Sequence, residues 1–374
     1  MKKSLLALAA MGAFAGAAHA QSSVTVSGLL EAGYTSKSVR SLGSAAGAET
    51  MQSSISGGHV ATPVIRFEGT EDLGGGMTAG FAIRDEFNVG TGARASSLGV
   101  FTESFVSLSN NDFGTLAAGR MYHATRDIGG VYRFMGDIGR IASSMNSAVQ
   151  SNTVQYVTPS FQGFSGSVGY SSNGKTTDAT TGVDTSVVPV SLFSVGLRGT
   201  FGKASLAASS ETTTFVSAAG STDQAKHTIN SFGGAYDLGV AKVGVAYFDQ
   251  KLTLATGADG GKRTAYTVNL AAPVTKAITL GGSYGSYEVT LAAGGAKPKT
   301  NIMTFGAQYA LSKRTSIYAS YQAVTNSDAN NALSAASSAA INGSTTVGSS
   351  RGLGVQEINA GTGRGFGLTA VHTF

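Results

Sequence analysis

Apolar and polar side chains alternate along most of this chain with a period of two. Val24 and Val26 alternate with Thr25 and Ser27, while Phe164, Val168 and Tyr170 oppose Ser165, Ser167 and Gly169. Phe193, Val195 and Leu197 oppose Ser194, Gly196 and Arg198, and Val243, Val245 and Tyr247 oppose Lys242, Gly244 and Ala246. The final stretch, RGFGLTAVHTF, puts Phe366, Leu368, Ala370, His372 and Phe374 on one parity. Successive side chains of a strand point to opposite faces, so this spacing predicts strands with one apolar and one polar side.

The connections alternate as well. Short turn signals stand at 71–76, 110–114, 158–163, 201–203, 236–242, 272–276 and 311–315. Longer stretches rich in Gly, Ser, Thr, Asn and Ala lie near 36–58, 88–99, 121–151, 171–190, 211–227, 250–263, 286–299 and 325–360. Seven short and eight long connections join sixteen strands. The predicted fold class is therefore all-β: a closed 16-stranded antiparallel transmembrane β-barrel with short periplasmic turns on one rim and long extracellular loops on the other. A soluble β-sandwich also alternates, but it gives no reason for long loops at one end only. A β-solenoid would need a repeat of constant length, which is not visible.

The start of the chain fits an exported protein. MKKSLLALAAMGAFAGAAHA has two early lysines, a short apolar run and an A-x-A site at 18–20, which predicts a secretory signal peptide over 1–20 and a barrel domain over 21–374. Removing that segment leaves 24 basic against 21 acidic residues, a balance of +3 that gives no electrostatic case for nucleic acid. Only 13% of residues are charged and no cysteine occurs, which excludes disulfides, thiolate metal sites and cysteine nucleophiles. No later run of 18 apolar residues reads as a membrane helix.

Several short segments then point to a family. SSVTVSGLLEAGY, FEGTEDLGGG, FGTLAAGR, TPSFQGFSG, YDLGVAKV, YALSKRTSIYASYQ and the terminal VHTF occur in this order, and together they resemble the general porins of β-proteobacterial outer membranes. The resemblance covers essentially the whole chain after the signal peptide. It implies a homotrimer of barrels set among outer-membrane lipid and lipopolysaccharide, each barrel with its own water-filled pore for small hydrophilic solutes and ions. It also implies a third loop folded inward to narrow the pore, and a C-terminal aromatic, Phe374, read by the outer-membrane assembly machinery.

Charged residues on the strands mark the lumen. On the second strand Arg66 and Glu68 share a parity opposite Ile65 and Phe67; on the third, Arg84 and Glu86 oppose Phe81 and Ile83. A lipid-facing Arg or Lys near the bilayer midplane costs about 2–4 kcal/mol, so these four side chains are expected inside. Arg120 closes the fifth strand at the root of the third long connection. That connection, residues 121–151, carries Arg126, Asp127, Arg133, Asp137 and Arg140 beside Tyr132, Phe134 and Met135. Such a segment suits either a constriction loop packed on the wall or a solvated external loop, and the resemblance selects the former. The family's usual wall arginines align with Val64, Thr102 and Gln155, and a common basic position with Glu68. Arg66 and Arg84 replace part of that charge beside Glu68 and Glu86, so the expected selectivity is weak with a slight anion bias.

Other chemistry finds little support. The Gly74–Gly76 run lies between two strands without the Lys of a phosphate loop. His59, His123, His227 and His372 lack metal-ligand spacing; His123 and Asp127 are near enough in the loop for a local pair, but the reading favoured is that both are solvated. No cofactor or metal is called for, and no nucleophile beside a histidine singles out an enzyme. A substrate-specific channel and a barrel whose loops act as an adhesin are the remaining alternatives.

Overall fold

The computed structural model describes residues 23–41, 49–94, 101–136, 149–172, 189–216, 224–290, 297, 299–326 and 361–374. These residues form β1 (Ser23–Ser41), β2 (Glu49–Ser56), β3 (Val64–Gly74), β4 (Met77–Glu86), β5 (Glu103–Asn110) and β6 (Gly114–Met121). A short helix α1 (Thr125–Tyr132) follows, then β7 (Gln150–Val157), β8 (Phe164–Ser172), β9 (Pro189–Phe201), β10 (Ala204–Val216) and β11 (Gln224–Asp237). The last strands are β12 (Lys242–Thr253), β13 (Asp259–Pro273), β14 (Ile278–Thr290), β15 (Lys299–Ala310), β16 (Thr315–Asn326) and β17 (Gly361–Thr373).

Each strand from β3 onward pairs antiparallel with the next, and β17 returns to pair with β1 from Leu29↔Thr373 to Ser41↔Gly361. The sheet closes on itself. β2 and β3 together make one stave, because β1 pairs with β2 from Gly33 to Arg40 and with β3 from Ser23 to Leu29. The barrel thus has sixteen staves built from seventeen strands.

Where that second stave breaks, residues 57–63 leave the ladder and their N–H groups lose strand partners. Glu31 of β1 lies level with the gap and is fully buried. Its carboxylate accepts hydrogen bonds from the backbone N–H of His59 at 2.8 Å, Val60 at 3.0 Å and Ala61 at 2.7 Å. One carboxylate in a nest of amides replaces the missing sheet bonds.

The burial pattern is inside out relative to a soluble protein. Phe67, Phe81, Leu116, Leu197, Phe232 and Phe305 are 37–55% exposed on the outer face, whereas Ser194, Ser231, Gln250, Thr304 and Gln322 are buried on the inner one. Apolar area facing out is stable only against lipid, and a closed barrel leaves no unpaired strand edge there.

Short turns join the strands at one rim. At β3–β4 the three glycines Gly74, Gly75 and Gly76 all have positive φ, a conformation that other residues adopt at a cost. At β5–β6 the Asn110 carboxamide oxygen accepts from Asp112 N–H at 2.8 Å, and at β11–β12 Asp237 accepts from Gly239 N–H at 2.8 Å. One connection departs from expectation: the stretch 250–263 is not a long loop. β12 and β13 run on to Thr253 and Asp259 and meet in a tight turn closed by Leu254 N–H to Ala258 O at 2.9 Å. Here Leu252 is buried with Ala225 and Val289 on the inner face while Lys251 and Lys262 are exposed on the outer one, so the polarity of the two faces is reversed and the sequence pattern does not read as strand.

Candidate functional site

The described first part of the third long connection, residues 122–136, lies along the inner wall and can be followed strand by strand. His123 is buried, with Nδ1 2.9 Å from Ser194 Oγ on β9 and Nε2 2.8 Å from Ser171 Oγ on β8. The solvated His123 expected from sequence is therefore corrected: the ring is buried against the wall. Burial pushes the His123 imidazole down to about 4, so it is neutral at physiological pH. The helix then begins with Thr125 N–H donating to Glu211 Oε1 on β10 at 2.8 Å, a carboxylate at the positive end of the helix.

Along α1 the buried positions are Thr125, Ile128, Gly129 and Tyr132, a single helical face laid on β10, β11 and β12. Ile128 and Tyr132 join Ala207, Ala246, Phe248 and Ala265 in one apolar cluster, with the Tyr132 and Phe248 rings edge to face at 6.2 Å. Met135 beyond the helix packs with Val60 and Val371, reaching the 57–63 segment on the far side of the barrel. The wall makes room for this path with glycine. A methyl at Gly196 would meet Ala124, at Gly233 Ile128, at Gly244 the Tyr132 carbonyl and at Gly281 the Met135 sulfur.

With one side of the lumen filled by this packing, the open space lies against β3–β5 and β7–β9. A cavity of about 430 Å³ is lined there by Arg66, Arg84, Glu103, Tyr122, Arg126, Asp127, Gln155 and Arg198, among others. Arg66, Arg84 and Glu103 occupy one row, because Arg66 pairs with Arg84 and Arg84 with Glu103 across neighbouring strands. Arg66 Nε lies 2.9 Å from Glu68 Oε2, and Arg84 Nη2 lies 2.9 Å from Glu86 Oε1. Both guanidiniums also approach Glu103 Oε2, at 3.9 Å from Arg66 and 3.5 Å from Arg84.

The loop completes the ring of charge. Tyr122 donates to Glu86 Oε1 at 3.3 Å, and the Arg126 guanidinium stands 4.0 Å from the Tyr122 ring centre. Across the opening, Asp127 Oδ1 pairs with Arg198 Nη1 at 2.9 Å. Gln155 faces the same space, with Nε2 3.5 Å from the Tyr122 carbonyl.

Of the residues singled out in the sequence, Arg66, Glu68, Arg84, Glu86, Arg126, Asp127 and Gln155 come together here. Arg120 does not. It shares the outward parity of Leu116 and Ala118, pairs with Ser104, and donates to Phe101 O at 3.0 Å and Ser151 Oγ at 2.6 Å. Arg133 turns back on its own helix, with Nε donating to Gly129 O at 3.1 Å. Asp137 and Arg140 lie outside the described residues. Sequence reasoning missed Glu103, Tyr122 and Arg198. The inward parity of Arg198 was visible, but nothing along the chain links it to Asp127.

A closed barrel with a lipid-facing apolar belt and a polar, charged interior is a transmembrane diffusion channel. The chain belongs to the Gram-negative porin family, whose profile it matches over residues 7–329. It is 31% identical to an outer membrane porin protein of Bordetella pertussis over 367 residues, covering 85% of this chain and 93% of the relative. It is 32% identical to outer membrane porin protein 32 of Delftia acidovorans, covering 88% and 91%. Among solved structures, the anion-selective porin from Comamonas acidovorans superposes with a TM-score of 0.71 at 25% identity, over 95% of this chain and all of that one. The protein is an outer-membrane porin, and its barrel carries solutes by passive diffusion.

Proposed function

We propose that this porin is a general, weakly selective channel for small hydrophilic solutes and ions, with a slight preference for anions. The observation that carries the reading is the balance at the constriction, where Arg66, Arg84, Arg126 and Arg198 stand against Glu68, Glu86, Glu103 and Asp127. Partners 2.9–3.9 Å apart cancel beyond a Debye length of about 8 Å at physiological salt. The residual sign comes from exposure at two of the pairs: the Arg198 side chain is 55% exposed against 33% for Asp127, and Arg84 is 17% exposed against 1% for Glu86, whereas Glu68 at 45% is somewhat more exposed than Arg66 at 36%. At Arg84 and Arg198 the guanidinium meets the water more than its carboxylate does, which leaves only a slight bias.

A planar-bilayer reversal potential in a KCl gradient tests this, with a small shift toward chloride expected. A strong cation preference overturns it. Saturable block by a single solute would favour a substrate-specific channel, and we read the chain as a channel with no enzymatic activity.

The functional unit is proposed to be a homotrimer. On the outer face Val24, Phe81, Val106, Leu108 and Leu116 surround a groove of about 480 Å³ floored by small residues such as Gly69, Ala79 and Ala118. A neighbouring barrel's apolar side chains suit that relief, and the mass of the detergent-solubilised protein checks it. Export is proposed to remove residues 1–20, after which the assembly machinery reads Phe374; N-terminal sequencing of the mature protein tests the cleavage.

A further inference from the structure

The break in the second stave brings a piece of the wall against the inward segment. Residues 57–63 stand outside any strand, yet Val60 among them is buried. Its side chain packs with Met135 and Val371, and Leu29 and Tyr318 border the same cluster. The backbone of the inward segment rests there too. Gly136 has a φ of 62°, and a methyl at that position would run into the Val60 carbonyl oxygen. On the other side, the Met135 sulfur fills the place that a side chain at Gly281 of β14 would take.

Glu31 fixes the position of that seat. Its Oε1 accepts from His59 and Val60 N–H at 2.8 and 3.0 Å, and its Oε2 from Ala61 N–H at 2.7 Å and again from Val60 at 3.2 Å. Among the described residues no Lys or Arg forms an ion pair with Glu31, so amide dipoles meet its charge. A glutamine there would have nearly the same shape but would turn an NH2 group toward amides that also donate. Buried N–H groups left without an acceptor favour a displaced 57–63 segment. The root of the inward segment is held elsewhere, by Glu211 and Ser209 at Thr125 and by Ile128 over Gly233. The two fastenings share no residue.

We infer that Glu31 is a positioning residue for the pore: through Val60 it sets where Met135 and Gly136 come to rest, and so how far the inward segment reaches across the opening. The inference rests on the diffusion-channel reading but is independent of ion selectivity, which the reversal potential reads separately.

The chain has no cysteine, so M135C and I128C each introduce a single thiol, one at each fastening. The test measures how fast a water-soluble methanethiosulfonate labels each thiol in the folded barrel, recognised by its heat-dependent migration on a gel. E31Q is expected to speed labelling of M135C about tenfold and to leave I128C unchanged. V60G removes the contact while keeping the carboxylate, and it is expected to act on M135C as E31Q does, which keeps the test open if E31Q does not fold. In single-channel recordings E31Q should add rapid flicker to the step, with the reversal potential of the parent. Unchanged labelling of M135C in both variants overturns the assignment, and so does equal acceleration at I128C, which would mean a general loosening of the barrel. A steady step in E31Q overturns the link to the pore.

Discussion

Arg66 and Arg84 face each other in register on adjacent strands, two like charges side by side on the inner wall of the pore. Glu103 makes the pair tolerable by reaching both guanidiniums, and Glu68 and Glu86 each hold one from the flank. The wall is therefore a salt-bridge network with little net field. Removing one carboxylate should uncover it. Glu103→Gln is expected to shift the reversal potential toward chloride without lowering conductance, and an unchanged potential would show that Glu103 does not screen the arginines.

The glycines under the inward loop set how close it sits to the wall. A branched side chain at Gly244 would press on the Tyr132 carbonyl and the Phe134 ring. Overpacking of this kind costs about 1–3 kcal/mol. Gly244→Val is expected to displace the loop into the opening, which single-channel recording would register as a smaller or flickering step. The equivalent change at the outward-facing Gly234 should leave the step as it was, because its neighbours are the side chains of Leu206 and Val245.

Acid should loosen the root of the loop. His123 titrates at about 4 in the folded barrel, against an ordinary value near 6.5, because burial disfavours its charged form. A lowered value means that its stabilising contribution is complete above about 6.5 and is lost progressively as pH falls toward 4. The change amounts to something on the order of 3 kcal/mol. Thermal midpoints measured from pH 7 to pH 4 should fall less steeply for His123→Gln than for the parent, and parallel curves would exclude the mechanism.

The last residue is placed to close the barrel. Phe374 and Gly28 exchange backbone hydrogen bonds, each 3.1 Å, and the Phe374 ring occupies the space that a side chain at Gly28 would fill. Deleting Phe374 is expected to reduce the amount of porin in the outer membrane while leaving the conductance of the assembled fraction unchanged. Normal membrane levels of the truncated chain would refute this.

Alternation carries the barrel because lipid outside and water inside impose opposite demands on neighbouring residues at almost every rung. Ile65 and Phe67 against Arg66 and Glu68 is the clearest case, and it places those charges without any structure. The same logic fails where a face is mixed. Glu103 shares its parity with Phe105, so neither side of β5 declares itself. The break between β2 and β3 was hidden because Glu31 reads as one more lumen-facing polar residue, and only geometry reveals three amides converging on it. The course of the loop did leave a trace, in the inward glycines at 196, 233, 244 and 281, but a glycine in a strand has no side chain to betray what lies over it.

The joint between Gly28 and Phe374 also orders events in time. Strand β1 leads the described chain, yet one side of it has no partner until β17 arrives, and the seam is finished by the final residue. A chain that stops before β17 leaves that seam open, with unpaired amides facing hydrocarbon. The barrel thus proofreads its own last strand: only a chain that reaches β17 can remove both edges, and one that does not has a chemical reason not to persist in the membrane.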